Sequence, residues 1–61
     1  MKTKRLFSIP EAAEYLGRSV PAVRELIFKG RLAAVRIDRR VHVDLNDLDQ
    51  LIEDHKQDLA A

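Results

Sequence analysis

Residues 8–30 read SIPEAAEYLGRSVPAVRELIFKG, and this stretch decides the fold. Ser8 is a good helix N-cap and Glu11 stands three residues later. That is the spacing of a capping box, in which each side chain accepts from the other residue's backbone N–H. Pro10 falls in the first turn, where a missing N–H removes no hydrogen bond. Ile9, Ala12, Ala13 and Leu16 then recur at i, i+3, i+4 and i+7, one apolar face of a helix. Gly17 occupies the place of a C-terminal glycine. Ser19 repeats the pattern as a second N-cap, with Pro21 in its first turn. Val20, Val23 and Ile27 form an apolar stripe that Leu26 widens, and Gly30 closes the helix. Only Arg18 separates Gly17 from Ser19, so the helices must turn sharply against each other, and the small Ala12 and Ala13 suit a close crossing. At about two turns, the first helix is too short to stand alone and needs tertiary packing.

After Gly30 the period changes. Over residues 34–43, Val35, Ile37, Val41 and Val43 alternate with Arg36, Arg40 and His42, a period of two that predicts two strands. The expectation is a hairpin turning at Asp38-Arg39, with Arg39 at the tip. The four apolar side chains should face inward, and Arg36, Arg40 and His42 outward. Asp is tolerated in such a turn but is weaker than a glycine-containing pair. A lone ribbon is marginal, so it should lean on the helices. Asp44 then caps a third helix expected over residues 44–58, with Asp47 near its positive N-terminus. Leu45, Leu48, Leu51, Ile52, His55 and Leu59 follow helical spacing along it, and its other face is acidic. The fold class is α+β: two short helices, a two-stranded wing and a C-terminal helix, a small winged helix-turn-helix. It forms one domain over residues 1–61, with a basic arm at 1–5 and the helix-turn-helix at 8–30.

Composition narrows the function. A chain of 61 residues makes one small domain with about 3–5 kcal/mol of stability. The absence of cysteine excludes a thiol nucleophile, a disulfide and a cysteine zinc site. Two histidines far apart predict no metal site, and no cofactor or small-molecule ligand is expected. No apolar run approaches the ~20 residues that span a bilayer, and the basic start has no apolar stretch behind it to make a secretory signal. A soluble, cytoplasmic protein that makes no membrane contact is expected. An enzyme is the weakest reading: there is no glycine-rich phosphate loop, Ser8 and Ser19 are explained as caps, and the carboxylates of the third helix have no pocket to serve. Net charge is +1, but residues 1–40 carry ten Lys/Arg against four acids (+6), and residues 41–61 one base against six acids (−5). The asymmetry suggests a basic working face and an acidic far side.

The order of these marks carries a family resemblance. The "EAAEYLG" first helix, the Ser19-x-x-x-Val23 second helix, the "GRLAAVRI" link and the "V-x-x-x-DL" entry to the closing helix together resemble the excisionase-type winged helix-turn-helix domain. That domain is related to the DNA-binding part of MerR-like regulators, and the resemblance covers about Leu6 to Glu53. It implies a recombination directionality factor, bacterial or phage-encoded and nucleoid-associated, that has no catalytic activity. Such a protein binds and bends double-stranded DNA beside an attachment site, assembles further copies of itself along it, and biases an integrase toward excision. Two alternatives stand: a small MerR-like transcriptional regulator, and a protein-interaction module using the acidic third helix. No long coiled coil like the one that dimerises full-length MerR regulators is present, which favours a monomer that associates on DNA. Two departures from the family pattern matter. Asp38 stands where glycine is commoner, and Phe28 is apolar at a position often basic.

Particular residues follow from these readings. The second helix is the candidate for the major groove, with Arg18, Ser19, Val20, Pro21, Arg24 and Glu25 at or near its exposed N-terminal side. Arg24 can donate two hydrogen bonds to a guanine edge, worth about 1–3 kcal/mol of discrimination. Glu25 either accepts from cytosine or pairs with Lys29 at i+4. Arg18 suits a phosphate clamp, and Lys29 stands at the helix end. On the wing, Arg36, Arg39, Arg40 and His42 suit the minor groove or its flanking phosphates. Lys2, Lys4 and Arg5 form either a flexible arm along the backbone or a solubilising terminus. Phe28, off the apolar stripe, is expected to pack under the wing or the third helix, with contact to a neighbouring protomer as the alternative. Tyr15 shares that ambiguity, and His55 reads as a helix-end residue.

Overall fold

The computed structural model describes residues 4–56, ordered as β1 (Leu6–Ser8), α1 (Ile9–Leu16), α2 (Val20–Phe28), β2 (Val35–Ile37), β3 (Arg40–Asp44) and α3 (Leu45–Asp54). Both serine caps form as their spacing requires. Ser8 Oγ accepts from the Glu11 N–H at 3.3 Å, and Glu11 Oε1 accepts from the Ser8 N–H at 2.9 Å, which completes the capping box. Ser19 Oγ accepts from the Ala22 N–H at 3.3 Å. Both helices close through a left-handed glycine, Gly17 at φ 67° and Gly30 at φ 75°. At the first, Arg18 N–H reaches the Ala13 carbonyl at 2.9 Å and Gly17 N–H the Glu14 carbonyl at 3.2 Å. At the second, Arg31 N–H reaches Leu26 at 2.9 Å and Gly30 N–H reaches Ile27 at 3.0 Å. This doubled Schellman geometry satisfies carbonyls that a helix end would otherwise strand.

The wing differs from expectation in two ways. The sheet has three antiparallel strands in the order β1-β3-β2, with Phe7 opposite Val43 and Ser8 opposite His42. The expected two-stranded ribbon is therefore only part of it. Leu6 and Phe7, to which the sequence assigned no element, join the cap residue Ser8 as the third strand and make β3 central.

The second difference is a correction of faces. Asp38 and Arg39 do form the turn, but a two-residue loop pairs Ile37 with Arg40, Arg36 with Val41 and Val35 with His42. Directly paired residues share a face, so an odd position of β2 sits beside an even position of β3. Val35 and Ile37 therefore cannot join Val41 and Val43 on one apolar side. Phe7, Arg36, Val41 and Val43 share the face toward the helices, while Val35, Ile37, Arg40 and His42 share the other. Ile37 is accordingly 46% exposed and Val43 fully buried.

The core collects Ile9, Ala12 and Ala13 from α1, Val23 from α2, Leu32 from the α2–β2 loop, Val43 from β3 and Leu48 from α3. Phe7, Leu16, Val20, Leu26, Ile27 and Leu51 pack around it. Asp44 caps α3 as expected, its Oδ1 accepting from the Asn46 N–H at 2.9 Å. The first N–H of α3, from Leu45, reaches back to the Arg5 carbonyl at 2.7 Å, so the residue just before β1 also fixes where the last helix begins. The helix ends at Asp54 with His55 as its C-cap, short of the expected residue 58; residues 57 and 58, like Leu59 and Lys2, lie outside the described residues.

Candidate nucleic-acid interface

The turn between α1 and α2 holds Arg18 and Ser19 at the surface, both exposed. Along α2 the period of 3.6 turns Val23 into the core and Val20, Leu26 and Ile27 against it. Pro21, Arg24, Glu25, Phe28 and Lys29 are left exposed. Val20 is thus corrected from the expected surface set: it belongs to the packing that seats the helix. Glu25 and Lys29 pair at 2.7 Å, the local alternative for Glu25. The hydrogen bond and charge of Lys29 hold the Glu25 carboxyl below its ordinary range.

Phe28 is corrected more sharply. It packs under neither the wing nor the third helix, being 91% exposed. With Ile9, Arg24, Ile27 and Val41 it lines a shallow hollow of about 280 Å³ between α2 and the wing. A larger groove of about 420 Å³ runs between α2 and α3. Its floor includes Leu16, Leu26, Leu51 and Ile52, and Arg18 and Arg31 stand along it. Arg31 was not singled out by the sequence reading, although it directly follows the closing glycine and is exposed.

On the wing, Arg39 stands at the tip, Arg36 on the helix side and Arg40 on the far side, all exposed. His42 does not project with them. It sits between Ser8 and Val35 on the central strand, half-buried, with Nδ1 enclosed and no hydrogen-bond partner among the described residues.

Among the described residues, cations divide into two groups. Every lysine is paired: Lys4 with Glu11, Lys29 with Glu25 and Lys56 with Glu53. Arg5 pairs with Asp44 at 3.0 Å. Lys4 also lies 5.2 Å from the centre of the Phe7 ring, which packs at 5.5 Å on Tyr15. Lys4 and Arg5 are thus tied to the body of the fold rather than extended as an arm. Lys4 and two hydrogen bonds at Ser8 hold the Glu11 carboxyl down to about 2, and Arg5, then the Asn46 N–H, lower that of Asp44. Arg18, Arg24, Arg31, Arg36, Arg39 and Arg40 have no ion-pair partner among the described residues. All six lie between the helix turn and the wing.

The acidic helix is differently occupied. Asp49 accepts from the Tyr15 hydroxyl at 2.5 Å, raising the Tyr15 pKa above its ordinary value. Asp54 accepts from Gln50 at 2.8 Å, and Glu53 holds Lys56 at 2.5 Å. Much of its charge is therefore committed within the chain. No described helix is long and apolar enough to cross a membrane.

Residues 6–56 match a family model described as a helix-turn-helix domain, covering every described secondary-structure element. No curated protein matches the chain.

Proposed function

Because the chain belongs to the helix-turn-helix domain family, a family that includes excisionase-like DNA-binding domains, we propose that it is an architectural DNA-binding protein of the excisionase type. In this role it bends attachment-site DNA and directs an integrase toward excision, acting without catalysis and assembling with further copies of itself along the duplex. The observation that carries the reading is the set of six arginines on the helix turn, α2, the following loop and the wing that have no ion-pair partner among the described residues. Leaving them free to exchange water and counterions for phosphate suits a planar guanidinium, which matches phosphate bidentately.

The residues divide the task. Arg24 on the exposed side of α2 donates to a base edge in the major groove. Arg18 at the helix turn and Arg39 and Arg40 on the wing hold phosphates, and Arg36, on the helix side of the wing, faces the same duplex as α2. Ser19 and Pro21 set the helix start. Most base-independent affinity comes from the arginines, which is the balance expected of a protein that positions DNA.

The test is binding to duplex DNA across a salt series, with bend angle measured by circular permutation. Each phosphate neutralised adds about 0.9 to the slope of log affinity against log salt. The Arg39→Ala, Arg40→Ala double variant should therefore flatten the slope by about 1.8. Bent DNA and a footprint growing in repeated steps are expected. Tight binding insensitive to salt and to this double variant refutes the DNA reading. A single unbent palindromic site refutes the excisionase assignment and leaves a regulator.

A further inference from the structure

We propose that Phe28 is a specificity-determining residue, its ring and the hollow beside it receiving the 5-methyl group of a pyrimidine in the major groove next to the base that Arg24 reaches. The inference rests on the DNA-binding reading above and adds to it a residue and a chemical group on the DNA.

Phe28 is not serving the fold. The other four large apolar side chains of α2, Val20, Val23, Leu26 and Ile27, all pack in or against the core, whereas Phe28 is 91% exposed. It is also the most exposed of the large hydrophobic residues described. Its position is defined by helix geometry: four residues after Arg24, three after Glu25 and seven after Pro21, on the outward face these residues form. The nine residues of α2 span about 13 Å at 1.5 Å per residue. Along the helix axis Phe28 stands about 6 Å from Arg24, one to two base steps of about 3.4 Å, so a helix whose Arg24 reaches a base brings Phe28 to a neighbouring one.

The surroundings choose the ligand. The hollow is lined by Ile9, Ile27, Phe28 and Val41 with a single polar group, the Arg24 guanidinium, and no acid. An apolar cup beside one bidentate donor complements a methyl group beside a pair of acceptors. The major groove presents that combination where thymine neighbours guanine, whose O6 and N7 accept from arginine. A second protein chain would offer apolar side chains too, but Arg24 lines the cup, Arg36 stands opposite Val41 on the sheet, and neither has an ion-pair partner among the described residues; that local positive charge favours a polyanion.

The full chain is first used to select a preferred duplex from random sequence. Each thymine of that duplex is then replaced in turn by uracil, which removes only the methyl group, and affinity is measured for the unaltered chain and for Phe28→Ala. One position is expected to show about a fourfold loss with uracil, the transfer free energy of one buried methyl. Phe28→Ala should bind thymine and uracil there equally, while Phe28→Leu keeps part of the difference. Placing 5-methylcytosine at that position should bind the unaltered chain better than cytosine does.

Equal uracil sensitivity in the unaltered chain and Phe28→Ala overturns the proposal, as does the absence of any sensitive thymine. Unchanged base preference with loss of stepwise assembly in Phe28→Ala also overturns it, assigning the ring to a neighbouring copy. Each of these leaves salt-dependent DNA binding intact; only failure of the unaltered chain to bind duplex at all removes both readings together. Because the ring is exposed, Phe28→Ala should keep the circular dichroism spectrum and melting temperature of the unaltered chain.

Discussion

Replacing Arg39 by glycine should stabilise the protein while weakening its hold on DNA. The wing turns through two residues with positive φ, Asp38 at 53° and Arg39 at 85°. Positive φ at both central residues is the requirement of the type I′ hairpin turn, whose twist matches the flanking strands and whose favoured pairs end in glycine. Asp38 is a tolerated first residue, because a short polar side chain can hydrogen-bond locally in this conformation. Arg39 has no such relief, and it makes no ion pair among the described residues that the substitution would break. A left-handed residue other than glycine costs about 1–2 kcal/mol. The extra chain entropy of an unfolded glycine takes back about 0.5–1 kcal/mol. The net gain for Arg39→Gly is about 0.5–1 kcal/mol, or about 2–8 °C in melting temperature for a domain of this length. Arg39→Ala is the control, since it removes the same charge and keeps the strain. Thermal unfolding by circular dichroism should place Arg39→Gly above both Arg39→Ala and the unaltered chain. DNA affinity should fall for both variants by a similar factor. A melting temperature for Arg39→Gly no higher than that of Arg39→Ala would refute the strain argument.

Other outcomes follow from the packing, the caps and the charges. Leu48 is fully buried, so Leu48→Ala should cost about 2–5 kcal/mol; that equals most of the about 3–5 kcal/mol such a small domain holds, and the variant should be largely unfolded at 25 °C by circular dichroism. Ser19→Asp keeps an N-cap acceptor and should leave the melting temperature within ~2 °C, yet its added negative charge at the start of α2 should weaken DNA binding in a gel-shift titration. Glu11 has a folded pKa lowered from 4.5 to about 2, so its stabilising contribution is fully present above pH 4.5 and is lost as pH falls through about 2. The stability difference between the unaltered chain and Glu11→Gln, measured by denaturant titration, should therefore shrink steadily from pH 5 to pH 2; a difference that grew in acid would reverse the assigned sign.

Local signals were legible in the sequence wherever the physics is local. The Ser8–Glu11 capping box, the Ser19 cap, the closing glycines and the Asp44 cap depend on partners within a few residues, and all of them form. The apolar faces of α1 and α2 follow for the same reason. Features fixed by distant pairing were not legible. A three-residue strand such as Leu6–Ser8 is too short to show a period, and its partner β3 lies more than thirty residues away. The inward set on the hairpin failed because alternation gives the faces within each strand but not the register between strands. A two-residue loop couples odd to even positions, and the apparent period running through Val35, Ile37, Val41 and Val43 crosses that reversal. Leu32 has no periodic neighbours, yet it is a core residue at 3% exposure. Phe28 was legible as an oddity, being off the stripe, but only the fold shows that no described residue covers it.

The division between paired and unpaired cations alters what the net charge of +1 means. Summed over the chain, it describes a nearly neutral protein with little reason to approach a polyanion. Yet Lys4, Arg5, Lys29 and Lys56 are offset by Glu11, Asp44, Glu25 and Glu53 within the fold. An ion pair of this exposed kind contributes little to stability; its larger effect is to remove a local field. What remains among the described residues is six arginines over residues 18–40, with Glu14 on α1 and Asp38 at the wing turn, and on α3 Asp47 beside carboxylates already bonded to Tyr15 and Gln50. The positive field is thereby concentrated on the helix turn, α2 and the wing, with negative charge gathered on another element. A charge distribution of this form orients a protein as it nears a charged partner, while the low total keeps indiscriminate attraction small. Selectivity for one face of a small domain thus comes from which charges the fold cancels as well as from which it displays.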